Sequence, residues 1–467
     1  MGPAAKNPVF VIAVGLLCIA SMQILAQDTP ASAPQSDAAF LAWAQRSLHP
    51  IASLDMNAPM TDLKPLRKII GNAKIVMLSE ATHFGAEPLE FRNRLFGYLV
   101  EELGFNAIAI ESGITESRVV HDYVQGGPGD LHSVVSDGFS WAFDLLPQNE
   151  ELVRWMREYN ADPRHARKIE FFGFDVPGSP TVPAGSANIP LDGALRYLQL
   201  VDPAEAEAIA TRLDRILPSK RWNVLDYLKF SQATRDALTA VVADARLVME
   251  ARQIVYLAKS SKADYAWGYR DAIGAREVDD LMRRIPVGAK ERDYRSWIYE
   301  QGAVRDRAMA ANARWIIDQL GPEARVLFFA QLGHIATAPV VEDGDPAAHI
   351  PFGTYMKERY SDELLTIGHI AVQGQIGGCG ERARGRNAPV SVIESKPIAA
   401  TSATAVFAQL NKPLFLLDLR RAPASATWLR QTSDLPDGFG STSTAISNAF
   451  DVLFFSAKLT PACETQR

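Results

Sequence analysis

The 467-residue sequence has only three cysteines and lacks the short motifs that mark several common enzyme classes. It has no Gly-x-Ser-x-Gly turn, so the standard serine esterase arrangement is not indicated. It has no His-Glu-x-x-His helix and no Cys-x-x-Cys pair, so it carries no signature of a preformed zinc site. Because there is no P-loop and no Gly-x-Gly-x-x-Gly after a strand, we expect no nucleotide and no other cofactor.

The sequence also has no excess of positive charge. It contains 48 lysines and arginines against 54 aspartates and glutamates, which gives a formal net charge of −6. Proteins that bind nucleic acids usually carry a basic patch or stripe, and none is visible in this sequence. We therefore expect a soluble enzyme with a small-molecule substrate and no nucleic-acid partner, while the sequence does not indicate the oligomeric state.

The N-terminal segment predicts export. Lys6 precedes an apolar run over residues 9–20, and the segment ends at the small residue Ala26, which is typical of a secretory signal peptide over residues 1–26. The run is short for a membrane span, so we expect a periplasmic or secreted protein without a membrane contact once the peptide is removed. An uncleaved N-terminal anchor is the alternative. Residues 27–38 are rich in Pro, Ala and Ser and are interpreted as a flexible lead-in to a domain over residues 39–467.

Removal of the predicted signal peptide leaves two cysteines, Cys379 and Cys463. In an oxidising compartment such a pair is a candidate disulfide, which would join the C-terminal tail to a glycine-rich loop. Two free thiols are the alternative. Neither cysteine follows a predicted strand beside a histidine, so a catalytic cysteine is not favoured.

Four short apolar runs predict buried strands, at residues 74–78, 105–110, 169–174 and 325–330. The side chains that follow them, in chain order, are Glu80 with His83, then Glu111, then Asp175, then Gln331 with His334. In open α/β sheets, ligands bind outside the carboxyl ends of the strands. The sequence therefore predicts that these side chains share one cleft.

The pattern of elements predicts an α/β fold with a mainly parallel central sheet flanked by helices. A stretch from Pro88 to Leu103 has apolar residues at helical spacing and a proline suited to a first turn. Residues 191–320 are nearly all helical in pattern, which predicts a helical cap inserted between the third and fourth strands. Its aromatic residues are expected to be mostly helical core, with an apolar wall for a bulky substrate as the alternative.

Longer motifs accompany the strand ends. They are Glu80-Ala81-Thr82-His83, Glu90-Phe91-Arg92, residues 99–105 leading to Glu111, Phe172-Gly173-Phe174-Asp175, residues 305–310, Gly333-His334-Ile335, residues 353–359 and the late strand 450–455. In this order they resemble the erythromycin esterase family of macrolide lactone hydrolases. The resemblance covers most of the chain and is weakest between about residues 180 and 278.

The resemblance implies hydrolysis of a carboxylic ester or macrolactone by activated water, without a covalent intermediate. It implies a general-base role for His83 and active-site roles for Glu80, Arg92 and Glu111, with assistance from His334. Imidazole titrates near neutral pH and can take a proton from water, and a nearby carboxylate fixes its tautomer. An arginine can stabilise a developing oxyanion.

Gln331 departs from the family pattern, which often has two histidines three residues apart at this place. Glutamine donates hydrogen bonds but cannot transfer a proton. The departure keeps open a non-catalytic small-molecule-binding protein on the same scaffold. Substrate contacts are expected from Asp175, Gln331 and Arg305, although Asp175 could equally cap the following turn and Arg305, like Asp306, could simply face solvent.

A metal-dependent hydrolase is a further alternative, because His83, Glu87 and Glu111 could meet around an ion. His83 and Glu87 would share a helix face only if the helix began before Pro88, which argues against this arrangement. We therefore predict no metal site. His369, inside the predicted strand 364–370, is interpreted as structural.

Overall fold

The computed structural model describes residues 37–180, 185–217, 222–290, 302–342, 350–377 and 392–463. The strands are β1 (His49–Pro50), β2 (Ile75–Glu80), β3 (Ala107–Gly113), β4 (Glu170–Asp175), β5 (Val326–Gln331), β6 (Val341–Glu342), β7 (Leu364–Ala371), β8 (Gln375–Gly377), β9 (Val392–Glu394), β10 (Leu414–Asp418), β11 (Thr432–Pro436), β12 (Ser441–Ala445) and β13 (Val452–Ser456). The α-helices are α1 (Ala38–Ser47), α2 (Pro65–Ile70), α3 (Ala86–Leu103), α4 (Arg118–Val124), α5 (Leu131–Gly138), α6 (Pro147–Ala161), α7 (Ile189–Val201), α8 (Pro203–Ile216), α9 (Val224–Tyr227), α10 (Gln232–Ala251), α11 (Gln253–Leu257), α12 (Lys262–Met282), α13 (Gly302–Leu320), α14 (Leu332–Ile335), α15 (Phe352–Tyr360), α16 (Ala403–Ala408) and α17 (Ile446–Ala449).

The predicted signal peptide and almost all of the predicted lead-in lie outside the described residues. Among the helices that are described, none combines the length and the apolar character that crossing a membrane requires.

The central sheet of the described chain has the strand order β1-β10-β13-β7-β2-β5-β3-β4. From β13 to β4 all neighbours are parallel, whereas β10 is antiparallel to β13 and to β1. The predicted mainly parallel sheet flanked by helices is thereby confirmed. Strand β2 lies between β5 and β7, so the strand end that carries Glu80 is at the centre of the sheet.

Both faces of the sheet are buried, because its strands are apolar on both sides. Alternate residues of β2 belong to opposite cores, Ile75 and Met77 to one and Val76 and Leu78 to the other. Helix α3 covers one face with an apolar stripe at i, i+4 and i+8, and α13 covers the other. The sheet is therefore a rigid layer that fixes the relative positions of its strand ends.

Helices α7 to α12 lie between β4 and β5 along the chain and share a core of their own, which includes Leu198, Val241 and Val278. A buried hydrogen bond of 2.8 Å from Thr115 Oγ1 to Asp271 Oδ1 joins this helical unit to the loop after β3. Helix α13 falls within the predicted insertion, but its residues Met309, Ala313 and Ile316 pack in the core beside the sheet.

Strands β11, β12 and β6 form a second, antiparallel sheet, and β11 and β12 are joined as a hairpin. The hairpin turn is closed by Asp437, whose Oδ1 accepts the backbone N–H groups of Phe439 and Gly440 at 2.8 Å each. Gly438 has a φ of +84°, which favours glycine at this position. This hairpin stands beside the carboxyl edge of the central sheet.

Candidate active site

A cleft of about 390 Å³ opens at the carboxyl ends of β2, β3 and β5. The register of the central sheet brings two of these strand ends to the same level, because Glu80 at the end of β2 pairs with Gln331 at the end of β5. The lining residues come from the strand ends, from the start of α13 and from the hairpin; those used below are His83, Glu111, Arg305, Asp306, Gln331, His334, His369, Leu435, Pro436 and Phe439.

His83 and Glu80 form the first half of the site. His83 Nδ1 lies 2.7 Å from Glu80 Oε1, so Nδ1–H donates to the carboxylate and Nε2 is the nitrogen left for chemistry. The Glu80 side chain is buried, whereas that of His83 is 35% exposed. The His83 ring also contacts Phe143, with ring centres 5.3 Å apart. The Phe143 ring and a buried carboxylate thus hold the His83 ring, which stays partly exposed.

The two groups shift each other's titration. Burial lowers the pKa of His83, but the charges of Glu80 and Glu111 and the hydrogen bond from Glu80 outweigh that effect, so the His83 pKa is raised. Burial raises the pKa of Glu80, and the favourable charge and hydrogen bond of His83 only partly offset it. The raised pKa makes the His83 imidazole a stronger base, which suits it to accept a proton from water.

Arg305 on α13 forms the second half of the site with two buried carboxylates. Its Nε and Nη2 donate to the two oxygens of Asp175 at 3.0 and 2.6 Å, and Nη2 also donates to Glu111 Oε1 at 2.6 Å. Burial lowers the pKa of Arg305, but the charges of Asp175 and Glu111 raise it overall, so the guanidinium stays charged. The strand-end carboxylates of β3 and β4 are therefore joined through one cation.

His334 lies beside this arginine and has hydrogen-bond partners in both of its protonation states. Its Nδ1 is 2.9 Å from Asp306 Oδ1, which also accepts the backbone N–H of Phe352 at 2.6 Å. Its Nε2 is 3.0 Å from Arg305 Nη1 and 3.4 Å from Glu111 Oε1. As neutral imidazole, Nε2 accepts from Arg305, and as imidazolium it donates to Glu111. The same ring position thus serves both protonation states.

The charges around His334 favour its protonated form. Burial lowers the pKa of His334, and Arg305 lowers it further, but Asp306 and Glu111 raise it well above its ordinary value. Burial raises the pKa of Glu111, yet the neighbouring His334 and Arg305 hold it well below its usual range. At neutral pH the cluster therefore contains an ionised Glu111 beside a proton donor.

Trp141 covers the arginine from the side. Its Nε1–H donates to Asp175 Oδ2 at 2.8 Å, and the Arg305 guanidinium carbon lies 5.0 Å from the centre of its ring. Trp141 and Ala142 both have a φ of 64°, in the left-handed region that non-glycine residues rarely occupy. The turn is held by Ser140, whose Oγ donates to Glu116 Oε1 at 2.9 Å.

Arg92 does not line the cleft among the described residues. It is buried on α3, where Nε and Nη2 donate to Asn93 Oδ1 and the guanidinium stacks over the Phe329 ring at 4.9 Å. Burial lowers its pKa to about 10, with Glu80 and Glu151 opposing the shift. The position fits a positive charge beneath Glu80 better than the predicted direct contact with an oxyanion.

Gln331 acts through its backbone as well as its side chain. Its N–H donates to Glu111 Oε2 at 2.8 Å, and its side-chain Oε1 accepts the N–H of Gly333 at 2.6 Å, which caps the short helix α14. The residue therefore orients Glu111 and the helix that carries His334.

The metal alternative depends on Glu87, whose carboxylate accepts from the N–H and the hydroxyl of Thr460 at 2.8 and 2.9 Å. Within the described ranges, no three His, Cys, Asp or Glu side chains are grouped so that they could hold an ion. Cys463 is buried, and Cys379 lies outside the described residues. The predicted disulfide stays a prediction.

The structure adds three site features that the sequence did not reveal. Asp306 was expected by default to face solvent, but it is fully buried and hydrogen-bonds to His334. Trp141 lies in a turn without any motif. The apolar wall comes from the hairpin through Leu435, Pro436 and Phe439, and in the described chain the helices α7–α12 contribute nothing to the cleft lining. The six aromatic residues expected at the cap belong mostly to buried cores: Trp222, Tyr227, Tyr256, Tyr265, Trp267 and Tyr269.

Fold and cleft together define an α/β protein with two imidazole–carboxylate pairs at the carboxyl edge of its sheet. The sequence model of the erythromycin esterase family matches residues 100–459. The chain therefore belongs to the erythromycin esterase family, which confirms the resemblance drawn from its motifs.

Known proteins resemble this chain in sequence or in fold. An erythromycin esterase type II of Escherichia coli is 27% identical over 322 residues, which are 67% of this chain and 72% of that protein. A crystal structure of a Bacillus cereus protein is similar with a TM-score of 0.74 at 20% identity, covering 92% of this chain and 98% of that one. A mutant of the erythromycin esterase EreC in its open conformation gives a TM-score of 0.70 at 18% identity, covering 89% and 98%.

Proposed function

We propose that this protein is a hydrolase that cleaves a carboxylic ester or a macrolactone with a water molecule activated by His83. The observation that carries the proposal is the Glu80–His83 pair, in which a buried carboxylate holds Nδ1–H of a ring that lines the cleft and is 35% exposed. Membership of the erythromycin esterase family and the similarity to an erythromycin esterase type II support the choice of bond.

In the proposed reaction, the water oxygen forms a bond to the acyl carbon while His83 Nε2 takes the proton. Glu80 stabilises the imidazolium that results. Arg305 is the permanent cation of the cleft and stabilises the negative charge on the former carbonyl oxygen. Collapse of the tetrahedral intermediate breaks the bond to the alkoxide.

The leaving alkoxide needs a proton, which we assign to His334. Its Nε2–H is available in the imidazolium form that Asp306 and Glu111 favour. The acid and the alcohol leave, His83 gives its proton to solvent, and His334 takes one up. The net reaction is the addition of one water across the ester bond.

The test is mass spectrometry of a macrolide and of a panel of simple esters after incubation with the protein. We expect a product heavier by one water with the wild type and none with His83→Ala. The matched control is His165→Ala, since His165 bonds to Tyr159 and is not among the residues that line the cleft. Full turnover by His83→Ala would refute the mechanism, and no turnover of any ester by the wild type would favour a binding protein.

We also propose export to the periplasm or the medium. The support is the leader-like segment 1–26 and the two cysteines that remain after its removal. Expression with the native N-terminus is expected to give a mature chain beginning at Gln27. Peptide mapping without reductant is expected to recover a cross-linked peptide containing Cys379 and Cys463. An intact N-terminus with two alkylatable thiols would contradict both expectations.

A further inference from the structure

The backbone pairing between β2 and β7 ends just before the catalytic pair. The two strands are in register from Ile75 with Leu364 to Leu78 with Ile367. On its other side, β2 stays paired with β5 up to Glu80. The end of β2 therefore keeps one backbone neighbour and loses the other.

Two side chains replace the missing backbone pairing. The backbone N–H of His369 on β7 donates to Ser79 Oγ at 2.7 Å. The backbone N–H of Ala81 donates to His369 Nδ1 at 3.1 Å. These two hydrogen bonds enclose Glu80, which lies between Ser79 and Ala81. The backbone segment that carries Glu80 is thus held from β7 as well as from β5.

The protonation state of His369 follows from its partners. Because Nδ1 accepts from Ala81, the ring proton is on Nε2, which donates to Ser456 Oγ at 2.8 Å. The ring is fully buried and stacks on Phe454 with centres 5.1 Å apart. Burial lowers the pKa of His369 to about 3, and no charged group contributes to the shift. The ring is neutral at any pH at which the enzyme would work, so it serves as a fixed acceptor.

We infer that His369 is a positioning residue that holds the Glu80–His83 pair in its reactive geometry. Its catalytic meaning rests on the proposed function, because it acts only through His83. The charged groups that act on His83 are Glu80 on β2, Glu111 on β3 and Arg305 on α13. Of these, only the Glu80 carboxylate depends on the segment that His369 fixes. Loosening that segment lengthens the 2.7 Å bond and weakens the effect of Glu80 on His83.

Three substitutions separate this role from simple packing. His369→Asn puts an amide oxygen near the position of Nδ1 and keeps the acceptor for Ala81. His369→Gln puts its amide near Nε2, so it keeps a partner for Ser456 and loses that acceptor. The matched control is Thr366→Val on the same strand, which removes part-buried hydrogen bonds with Asp451. Thr366 pairs with Met77, three residues before Glu80.

The measurements are NMR titration of the His83 ring and steady-state kinetics on the best ester. For His369→Gln we expect the His83 pKa to fall by about half a unit or more, and kcat to fall about tenfold with little change in KM. His369→Asn is expected to restore most of both. Thr366→Val is expected to lower the unfolding midpoint and leave the His83 pKa unchanged.

Equal His83 pKa and kcat values in the Asn and Gln variants would overturn the inference, provided that both are folded. If His369→Gln does not fold, Ser79→Ala removes the other of the two bonds, the one from the backbone N–H of His369, and leaves the histidine side chain unaltered. An unchanged His83 titration in that variant would also overturn the inference. The titration needs no substrate. If the wild type hydrolyses no ester, the proposed function is wrong. The titration still measures the coupling between His369 and His83 in that case.

Discussion

The two histidines of the cleft are held in different ways. His83 has one carboxylate partner and a side chain that is 35% exposed. His334 is 13% exposed and is fixed between Asp306, Glu111 and Arg305. One ring is anchored at a single nitrogen, whereas the other is bonded at both.

His83 is the better placed of the two histidines to activate a water molecule. A general base needs a lone pair on the open side of a site. Of these two rings, His83 is the one whose Nε2 has no hydrogen-bond partner among the described residues. His334 can exchange its partner at Nε2 between Arg305 and Glu111, so it can donate a proton without moving. In the first half of the site the base is partly exposed to solvent. In the second half, buried charged groups hold one another in place.

Substitution at the open half is expected to have the largest effect on turnover. His83→Ala removes the proposed base and should lower kcat by about 10²–10⁴-fold. The unfolding free energy should change by about 1 kcal/mol or less, because Glu80 can bind a proton once its partner is gone. Steady-state kinetics and urea unfolding measure both. A large loss of stability with intact turnover would reverse the comparison.

Substitution at the closed half is expected to act mainly on stability. Arg305→Met leaves the buried Asp175 without its cation and leaves Glu111 with His334 alone, and should destabilise the fold by about 3–5 kcal/mol. The Glu111 pKa is held well below its ordinary value of 4.5, so its stabilising contribution is full above that value and is lost as the pH falls from there through the lowered folded-state pKa. Urea unfolding at pH 7 and at pH 4 should therefore show a smaller difference between variant and wild type at pH 4. The same loss at both would contradict the charge argument.

The dependence of activity on pH should report the titration of His83. Because the His83 pKa is raised, activity should increase with pH through a midpoint above 6.5, where the ring becomes neutral. Glu80→Gln removes the charge that raises this pKa and should move the midpoint to lower pH, with kcat reduced about tenfold. The stabilising Glu80–His83 ion pair is lost as the pH rises through the same pKa. A midpoint that does not move in Glu80→Gln would show that Glu80 is not coupled to the base.

The smallest effect is expected at Gln331, where the family often has histidine. Its backbone N–H holds Glu111 and survives any substitution that keeps the fold. Gln331→His should therefore change kcat/KM by no more than about threefold. Gln331→Ala loses the cap on α14 and should cost about 1 kcal/mol of unfolding free energy. A gain of several orders of magnitude in Gln331→His would show that this protein lacks an essential acid.

Much of the fold and of the cleft follows from local patterns. Short apolar runs between polar residues predict buried parallel strands, and parallel strands necessarily bring their carboxyl ends to one edge. Glu80, His83, Glu111 and His334 meet for that reason, whatever their separation along the chain. The register that pairs Glu80 with Gln331 needed the structure, because it depends on packing between distant segments.

Other features of the site could not be predicted from the sequence, and the physical reason differs from one residue to the next. Asp306 precedes Met309 by three positions and so lies on the buried stripe of α13, a signal that the charged neighbours Arg305 and Arg307 obscured. Trp141 owes its place to two strained backbone angles, which no residue pattern marks. Arg92 was predicted from its motif, but a motif does not say whether a side chain points into a cleft or beneath it.

The hairpin of β11 and β12 gives the cleft its apolar wall, although it belongs to a different sheet and takes no part in the proposed proton transfers. In the proposed reaction, the apolar wall and the proton-transferring groups therefore lie on separate segments of the chain. Exchange of the seven-residue tip from Leu435 to Ser441 between relatives is expected to retune which acyl or alcohol groups enter, and the catalytic apparatus need not be rebuilt. With this arrangement, a change in one turn is enough to alter substrate preference on a conserved scaffold.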